Sequence, residues 1–399
     1  MMNAYSVVQL LSWIAVGAII FLTAATLCFD FGAGILARFV GKTDNERRVI
    51  INTVAPTWDG NQVWLITAGA GLFAIWPRAY AASFSGMYLG VLVVLWGLFL
   101  RPVSFEYRHL HPAGKWKNFW DWGLCLGSLI PILVLGVAVG NLFLGFPIQF
   151  DPDTLRFYYG AQGIHGQEPA LLSLLELLMP FALLVGIFAV IMSLMHGASY
   201  CAMRTAGDLK ERFKNIQKVS ALLFIILFAV AGIWLCFIPG YHWQPDASLT
   251  SYSDAVNHPI NGAMVTLTTG GWLSNYGAHL WMIIAPVLGF LGAIGIIIFS
   301  NTGKSVAAFT SSVVAVAGAV FAMGFSLFPF VMPSSLSPNE SLTLWNASSS
   351  MTSLIGILIV AVIMLPIIFI YTTFVYKKMW GRGVTLTPEE IEKRKHELY

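Results

Sequence analysis

Apolar runs of bilayer length, separated by short polar segments, recur along the whole chain. A run of roughly 20 apolar residues matches the hydrocarbon thickness of a membrane, where a helix satisfies its own backbone hydrogen bonds. The pattern predicts spans at 8–28, 61–76, 79–100, 122–144, 171–195, 219–238, 279–299, 306–331 and 353–375, with Pro77 cutting the second short. The expected fold is all-α: a polytopic membrane bundle of about nine helices over 1–380, and a short tail over 381–399. The longest polar connection, 239–278, suits a small lobe or a packed reentrant loop. Segments 145–169 and Pro333 through Asn346 are shorter connections on the same side. From Thr387 the tail reads as a surface helix with its acids at the positive end.

Lysine and arginine set the orientation. Arg38, Lys42, Arg47 and Arg48 follow the first span; Arg101, Arg108, Lys115 and Lys117 follow the third; Arg204, Lys210, Arg212, Lys214 and Lys218 follow the fifth. The alternate connections are poor in both residues, so the positive-inside rule places the N-terminus outside and the C-terminus, with Lys377, Lys378 and Arg382, inside. The N-terminus lacks a basic region and a small-residue cleavage site, and is expected to stay as span one. Composition agrees: 57% of residues are hydrophobic and 10% charged, against about a quarter charged in soluble domains. Lipid is the expected partner, and nothing points to nucleic acid. Cys28, Cys125, Cys201 and Cys236 are scattered without metal-ligand spacing and read as plain thiols. Asn339 and Asn346 open N-x-S sequons, a short match that chance often supplies.

Candidate chemistry lies with acids near helix ends, because an ionisable group in a membrane needs a partner or a task. Asp30 is either a packing hydrogen bond beside Gly32 and Gly34 or part of a polar cavity. Asp59 and Gln62 have capping-box spacing at the start of span two, and a capping carboxylate can also exchange a proton. Trp58, Asn61 and Trp64 lie close by; the indoles can anchor at an interface, pack on a partner or flank a planar cofactor. Glu106, with Arg101 and Arg108, and Asp121 sit at the inner side, as ordinary charge pairs or as a proton entrance. Among the histidines, His196 and His279 are the ones close to helices, and no pair faces across the bundle as axial haem ligation demands. Residues alone leave two classes open: a secondary transporter using intramembrane acids, or a subunit of a membrane redox complex.

A resemblance separates them. Trp58-Asp-Gly-Asn-Gln-Val-Trp-Leu-Ile-Thr-Ala-Gly, flanked by Arg47-Arg-Val-Ile-Ile-Asn-Thr-Val-Ala-Pro, resembles the signature of subunit II of the bacterial cytochrome bd ubiquinol oxidases. Phe99-Leu-Arg-Pro-Val-Ser-Phe-Glu-Tyr-Arg, Trp116-Lys-Asn-Phe-Trp-Asp-Trp-Gly, Phe328-Pro-Phe-Val-Met-Pro-Ser-Ser and the closing His396-Glu-Leu-Tyr match the same family in order. The resemblance implies a subunit of a quinol-oxidising, oxygen-reducing terminal oxidase in the bacterial inner membrane. It implies that two haems b and one haem d belong to the partner subunit I, and that this chain ligates no haem or metal. It also implies that this chain stabilises subunit I, holds a structural ubiquinone or menaquinone, and contributes to a cytoplasmic proton path. A small single-span accessory subunit belongs to the same picture. Asp59 matches the acid assigned to that path, and Trp58, with Trp64 near it, the aromatic packing toward the haem region. Asp30 and Glu106 complete the candidate path. One departure stands out: members commonly read Asp-Gly-Phe-Asp in the first span, whereas this chain reads Leu27-Cys28-Phe29-Asp30, keeping the second acid and losing the first.

Overall fold

The computed structural model describes residues 4–151, 156–160, 174–245, 263–380 and 386–389. Among them, eight helices are long and apolar enough to cross a membrane. They are α1 (Ala4–Val40), α5 (Tyr88–Tyr107), α6 (Gly114–Leu144), α7 (Pro180–Arg204), α8 (Gly207–Leu235), α10 (Ile284–Asn301, preceded by a 3-10 turn at Leu280–Ile283), α11 (Ser305–Leu327) and α13 (Met351–Trp380). The expected second span is helix α3 (Trp58–Ile75), which is long enough but not apolar enough to stand with them. Its polar opening, Trp58-Asp-Gly-Asn-Gln, dilutes the apolar run, and its 18 residues cover about 27 Å.

Helix α1 is the axis of the fold. Its 37 residues extend about 55 Å, well past the predicted end at residue 28, so Asp30 lies on the helix rather than at its exit. It packs against α3, α6, α7, α11 and α13. Gly32 and Gly197 set the α1–α7 approach: a Cβ on Gly197 would lie 2.6 Å from the Gly32 carbonyl carbon and 2.7 Å from the Ala33 nitrogen. Backbone meets backbone there, as small residues in membrane helices permit.

The expected third span starts later than its hydropathy implied. Pro77 opens a separate helix, α4 (Pro77–Gly86), and α5 begins only at Tyr88 after a turn at Met87. Proline at the first helical position lacks only an N–H that the helix start leaves unpaired anyway. The other spans shift toward their basic ends. Helix α6 begins at Gly114, which puts Asp121 two turns inside it rather than at its opening.

One end of the bundle carries three antiparallel strand pairs: β1–β2 (Ile148–Asp151, Arg156–Tyr159), β3–β4 (Pro239–Pro245, Ala263–Thr269) and β5–β6 (Phe330–Met332, Leu342–Thr343). Trp272 packs on Tyr241 of β3 and Phe330 of β5, and its Nε1 donates to the Phe143 carbonyl at 2.9 Å; Ser334 Oγ donates to the Ile148 carbonyl of β1 at 2.5 Å. Asn339 Oδ1 accepts from Val265 N at 2.9 Å. The long connection thus forms a small β lobe with a short helix, α9 (Ser274–Ala278). Asn346 caps the one-turn helix α12 (Leu344–Ala347) in a capping box with Thr343, its Nδ2 donating to Ser341 O. Its sequon is thereby part of the local fold. The opposite end carries the basic connections and the helix α2 (Asp44–Val54), opened by a Thr43–Glu46 capping box. Most of the tail expected as a surface helix lies outside the described residues; Leu386 N donates to Arg204 O at 2.9 Å.

Candidate functional site: a buried ion pair behind an exposed acid

Arg101 is an arginine in an apolar run, and α5 turns it into the interior. Its Nη2 donates to Asp30 Oδ2 at 2.9 Å and its Nη1 to Ser128 Oγ at 2.6 Å. Neither side chain of the pair has any exposed surface. The guanidinium lies 4.1 Å above the Phe31 ring and 5.8 Å from that of Phe105, so aromatic faces supply part of the solvation that water cannot. Asp30 Oδ1 and Arg101 Nε have no hydrogen-bond partner within the described structure. A carboxylate held through one oxygen, with the other open, can take up a proton without losing its anchor. Asp30 is thus paired inside the packed core, beside the small residues of α1.

From this pair a layer of rings leads outward. Trp58 stacks on Phe105 with centroids 5.0 Å apart and planes 11° from parallel. Asp59 follows Trp58 on α3 and is exposed, on the same outward stripe as Val63 and Ile66. The capping box expected of Asp59 and Gln62 does not form. The N-cap is Thr57, with no side-chain cap bond; the chain turns at Ala55–Thr57, which puts the cap residue two positions ahead of Asp59. Asp59 sits instead in the first turn, where the positive helix end favours a carboxylate.

Trp64 is buried against α1, and its carbonyl accepts from Thr23 Oγ1 at 2.9 Å. Asn61 is also buried, and accepts from the Tyr376 hydroxyl of α13 at 2.8 Å. Trp58 and Trp64 therefore face different neighbours.

At the basic end, Asp121 is locked between Arg108 (2.6 Å) and Arg47 (2.9 Å). Arg108 and Lys117 each reach Asp44 at 2.8 Å, and Arg212 pairs with Glu46. These bonds tie α2, α5, α6 and α8 together and make Asp121 a structural anchor. Burial alone would raise the pKa values of Asp44 and Glu46, but it is outweighed. Lys117 and Arg108 hold Asp44 below its ordinary value, and Arg212 with the Lys42 and Thr43 amides does the same for Glu46. Glu106 is exposed on the last turn of α5, beside this cluster and apart from the Asp30 pair.

His196 is buried and engaged through both ring nitrogens: Nδ1 with Ser312 Oγ at 2.7 Å and Nε2 with Ala25 O at 2.9 Å. It stacks on Phe309 and joins α1, α7 and α11. That setting does not fit an iron ligand. His279 is exposed at the end of α9, and the described residues contain no group of three or more His, Cys, Asp or Glu that could hold a metal.

Sequence reasoning missed the role of Arg101, and with it Ser128, Phe105, Asn61 and Tyr376. Arg101 alone had a readable signal, because a cation in an apolar run requires a counter-charge on another span.

An all-α polytopic membrane protein with a charged pair sealed in its core and an acid on its outer face is the class these features define. The family model of cytochrome bd terminal oxidase subunit II matches residues 8–379. The chain is 42% identical over 398 residues to cytochrome bd-I ubiquinol oxidase subunit 2 of Escherichia coli, covering 99% of each. It is 39% identical over 397 residues, again 99% of each, to the probable cytochrome oxidase subunit 2 of Haemophilus influenzae. To cytochrome bd ubiquinol oxidase subunit 2 of Bacillus subtilis it is 31% identical, covering 88% of this chain and 90% of that one. A bd oxidase chain from Geobacillus thermodenitrificans has the same fold, with a TM-score of 0.67, 15% identity and coverage of 94% and 99%. The chain belongs to the cytochrome bd terminal oxidase subunit II family, and is thus a subunit of an oxidoreductase complex.

Proposed function

We propose that this chain is the subunit of a quinol-oxidising, oxygen-reducing oxidase that ligates no haem, supports a haem-bearing subunit I and delivers protons toward it from the cytoplasm. The carrying observation is the placement of Asp59, exposed on an α3 stripe with Val63 and Ile66 while Trp58 beside it stacks on Phe105 over the Asp30–Arg101 pair. An acid on an apolar membrane face is costly unless another protein covers it. Subunit I is that cover in this reading, so that Asp59 faces the shared boundary, with Glu106 nearer the cytoplasm. The haems, two b and one d, supply the electron transfer and oxygen chemistry and belong to subunit I.

In the same reading residues 1–380 form one transmembrane unit in the inner membrane, with the β lobe periplasmic and the 381–399 tail cytoplasmic. A structural ubiquinone or menaquinone and a small accessory subunit complete the complex.

The test is purification of the complex from membranes carrying photoreactive residues at Val63 and Ile66. Cross-linking to a haem-bearing partner, with quinol-driven oxygen consumption, supports the proposal. Stoichiometric haem on the isolated chain, or no second large subunit, overturns it. Reporter fusions after Gly240 and Tyr399 check the orientation: periplasmic for the first and cytoplasmic for the second.

A further inference from the structure

A hollow of about 350 Å³ opens between α1, α3, α7 and α13, several times the ~30 Å³ of one water. Two residues fix its level in the bundle. His196 Nε2 meets the Ala25 carbonyl, so Arg204 lies eight residues, or about 12 Å, beyond the level of Ala25 on α7. Thr23 Oγ1 meets the Trp64 carbonyl, which puts Trp64 and Leu22 at the deep end.

The lining is therefore graded along the membrane normal. Arg204, Tyr376 and Lys377 form its shallow end, with Thr372 and Thr373 about a turn below; Leu22, Trp64 and Phe369 form its deep, apolar end. From Phe369 to Lys377 the α13 wall rises about 12 Å. No acid stands among the described residues that line it.

Cations at the ends of α7 and α13 have an ordinary role against the negative helix termini. That role does not account for a hollow that joins two of them to four hydroxyls, those of Thr26, Thr372, Thr373 and Tyr376, and then to an apolar wall. A neutral quinone head can accept hydrogen bonds from these cations but leaves both charges uncompensated, and a free anion makes no use of Leu22 and Phe369.

The geometry points to a binding site for one anionic phospholipid, its phosphate between Arg204 and Lys377 and its first acyl carbons against Leu22, Trp64 and Phe369. Basic pockets between membrane helices take anionic headgroups by this combination. The Tyr376 hydroxyl donates to Asn61 and keeps a lone pair, while the Thr372 and Thr373 hydroxyls can donate to phosphate oxygens.

The test uses the whole purified complex, delipidated and then titrated with phosphatidylglycerol or phosphatidylcholine under native mass spectrometry. Wild type is expected to retain one phosphatidylglycerol more than the variants and to prefer it over phosphatidylcholine. Lys377→Gln and Arg204→Gln should each weaken that binding about fivefold, while Arg204→Lys preserves most of it. Lys377 is exposed near a helix end, so its replacement does not disturb packing. A phosphatidylglycerol with a photoreactive acyl chain should label the Phe369 peptide. Unchanged binding in both glutamine variants overturns the inference. So does displacement of the lipid by millimolar inorganic phosphate, which would mark a free-anion site, or an equimolar quinone without phosphorus in the extract.

Discussion

Arg101 and Asp30, 71 residues apart in sequence, meet at 2.9 Å in a region that solvent does not reach. They join α5 to α1, and Ser128 adds α6 to the same knot. Such a pair gains little over apolar residues of the same volume, because desolvation of both charges offsets their attraction; breaking it is another matter.

Asp30→Ala should therefore destabilise the complex strongly, on the order of 3–5 kcal/mol, because Arg101 is left charged and unpaired. The paired change Asp30→Leu with Arg101→Met should recover most of that loss. Thermal unfolding of the assembled complex measures both. A double variant no more stable than Asp30→Ala rejects the pairing as the cause.

Gly197→Ala makes a second case, in which two known effects oppose. Alanine improves helix propensity by about 1 kcal/mol, whereas overpacking costs typically 1–3 kcal/mol. The new Cβ would meet the Gly32 and Ala33 backbone at 2.6–2.7 Å, and backbone cannot swing aside, so the loss should win. Gly232→Ala on α8, where a Cβ meets nothing within 4 Å, serves as the control in which the propensity gain acts alone and the thermal midpoint should rise slightly. Equal thermal midpoints for the two variants would show that α1 and α7 tolerate separation.

These sites mark what the sequence could carry. The membrane spans were readable because apolar runs of bilayer length have few alternatives, and even Asp30 fell on the continuation of a recognisable helix. The break between α4 and α5 was not, since Gly86-Met-Tyr lies inside an unbroken apolar run and the turn at Met87 has no proline to announce it. Asp59 as a cap was a spacing argument, defeated by a turn that starts the helix at Trp58 with Thr57 as its cap residue. The motif did place Trp58 and Asp59 side by side, but their different neighbours, Phe105 inside and an exposed stripe outside, come from tertiary packing. Arg101 was visible as a charge, but its partner was not, because pairing across 71 residues leaves no local trace.

The charge cluster at the basic end gives a pH prediction. Asp44 is held below its ordinary value of 3.8 and Glu46 below 4.5. A carboxyl whose folded-state pKa is depressed stabilises the fold above its unfolded pKa and loses that contribution as pH falls through the folded one. The stabilisation is thus complete above about pH 5 and fades below pH 4. Asp44→Asn should lower stability at neutral pH, and its curve should converge with wild type in acid. Parallel curves down to pH 3 would remove Asp44 from the acid response.

Asp59→Asn separates a structural from a proton-carrying acid. In the first turn of α3 its charge meets the positive helix end, an effect worth about 0.3–1 kcal/mol at an exposed position. Asparagine keeps the size and hydrogen-bonding capacity but neither the charge nor the exchangeable proton. If Asp59 only complements the helix end, assembly should drop slightly and turnover per assembled complex should stay at the wild-type level. The placement of Asp59 on the outward stripe, next to Trp58 whose ring stacks on Phe105 beside Arg101, favours the other outcome. The variant should assemble with its full haem complement and consume oxygen about a hundredfold more slowly, the lower end of what a positioned proton-transfer group contributes. Glu106→Gln should have a smaller effect, since Glu106 is exposed at the end of α5 where water can reroute a proton. The deciding measurement is quinol-driven oxygen consumption per haem across pH. A ratio of variant to wild type near one at every pH assigns Asp59 to the helix end alone.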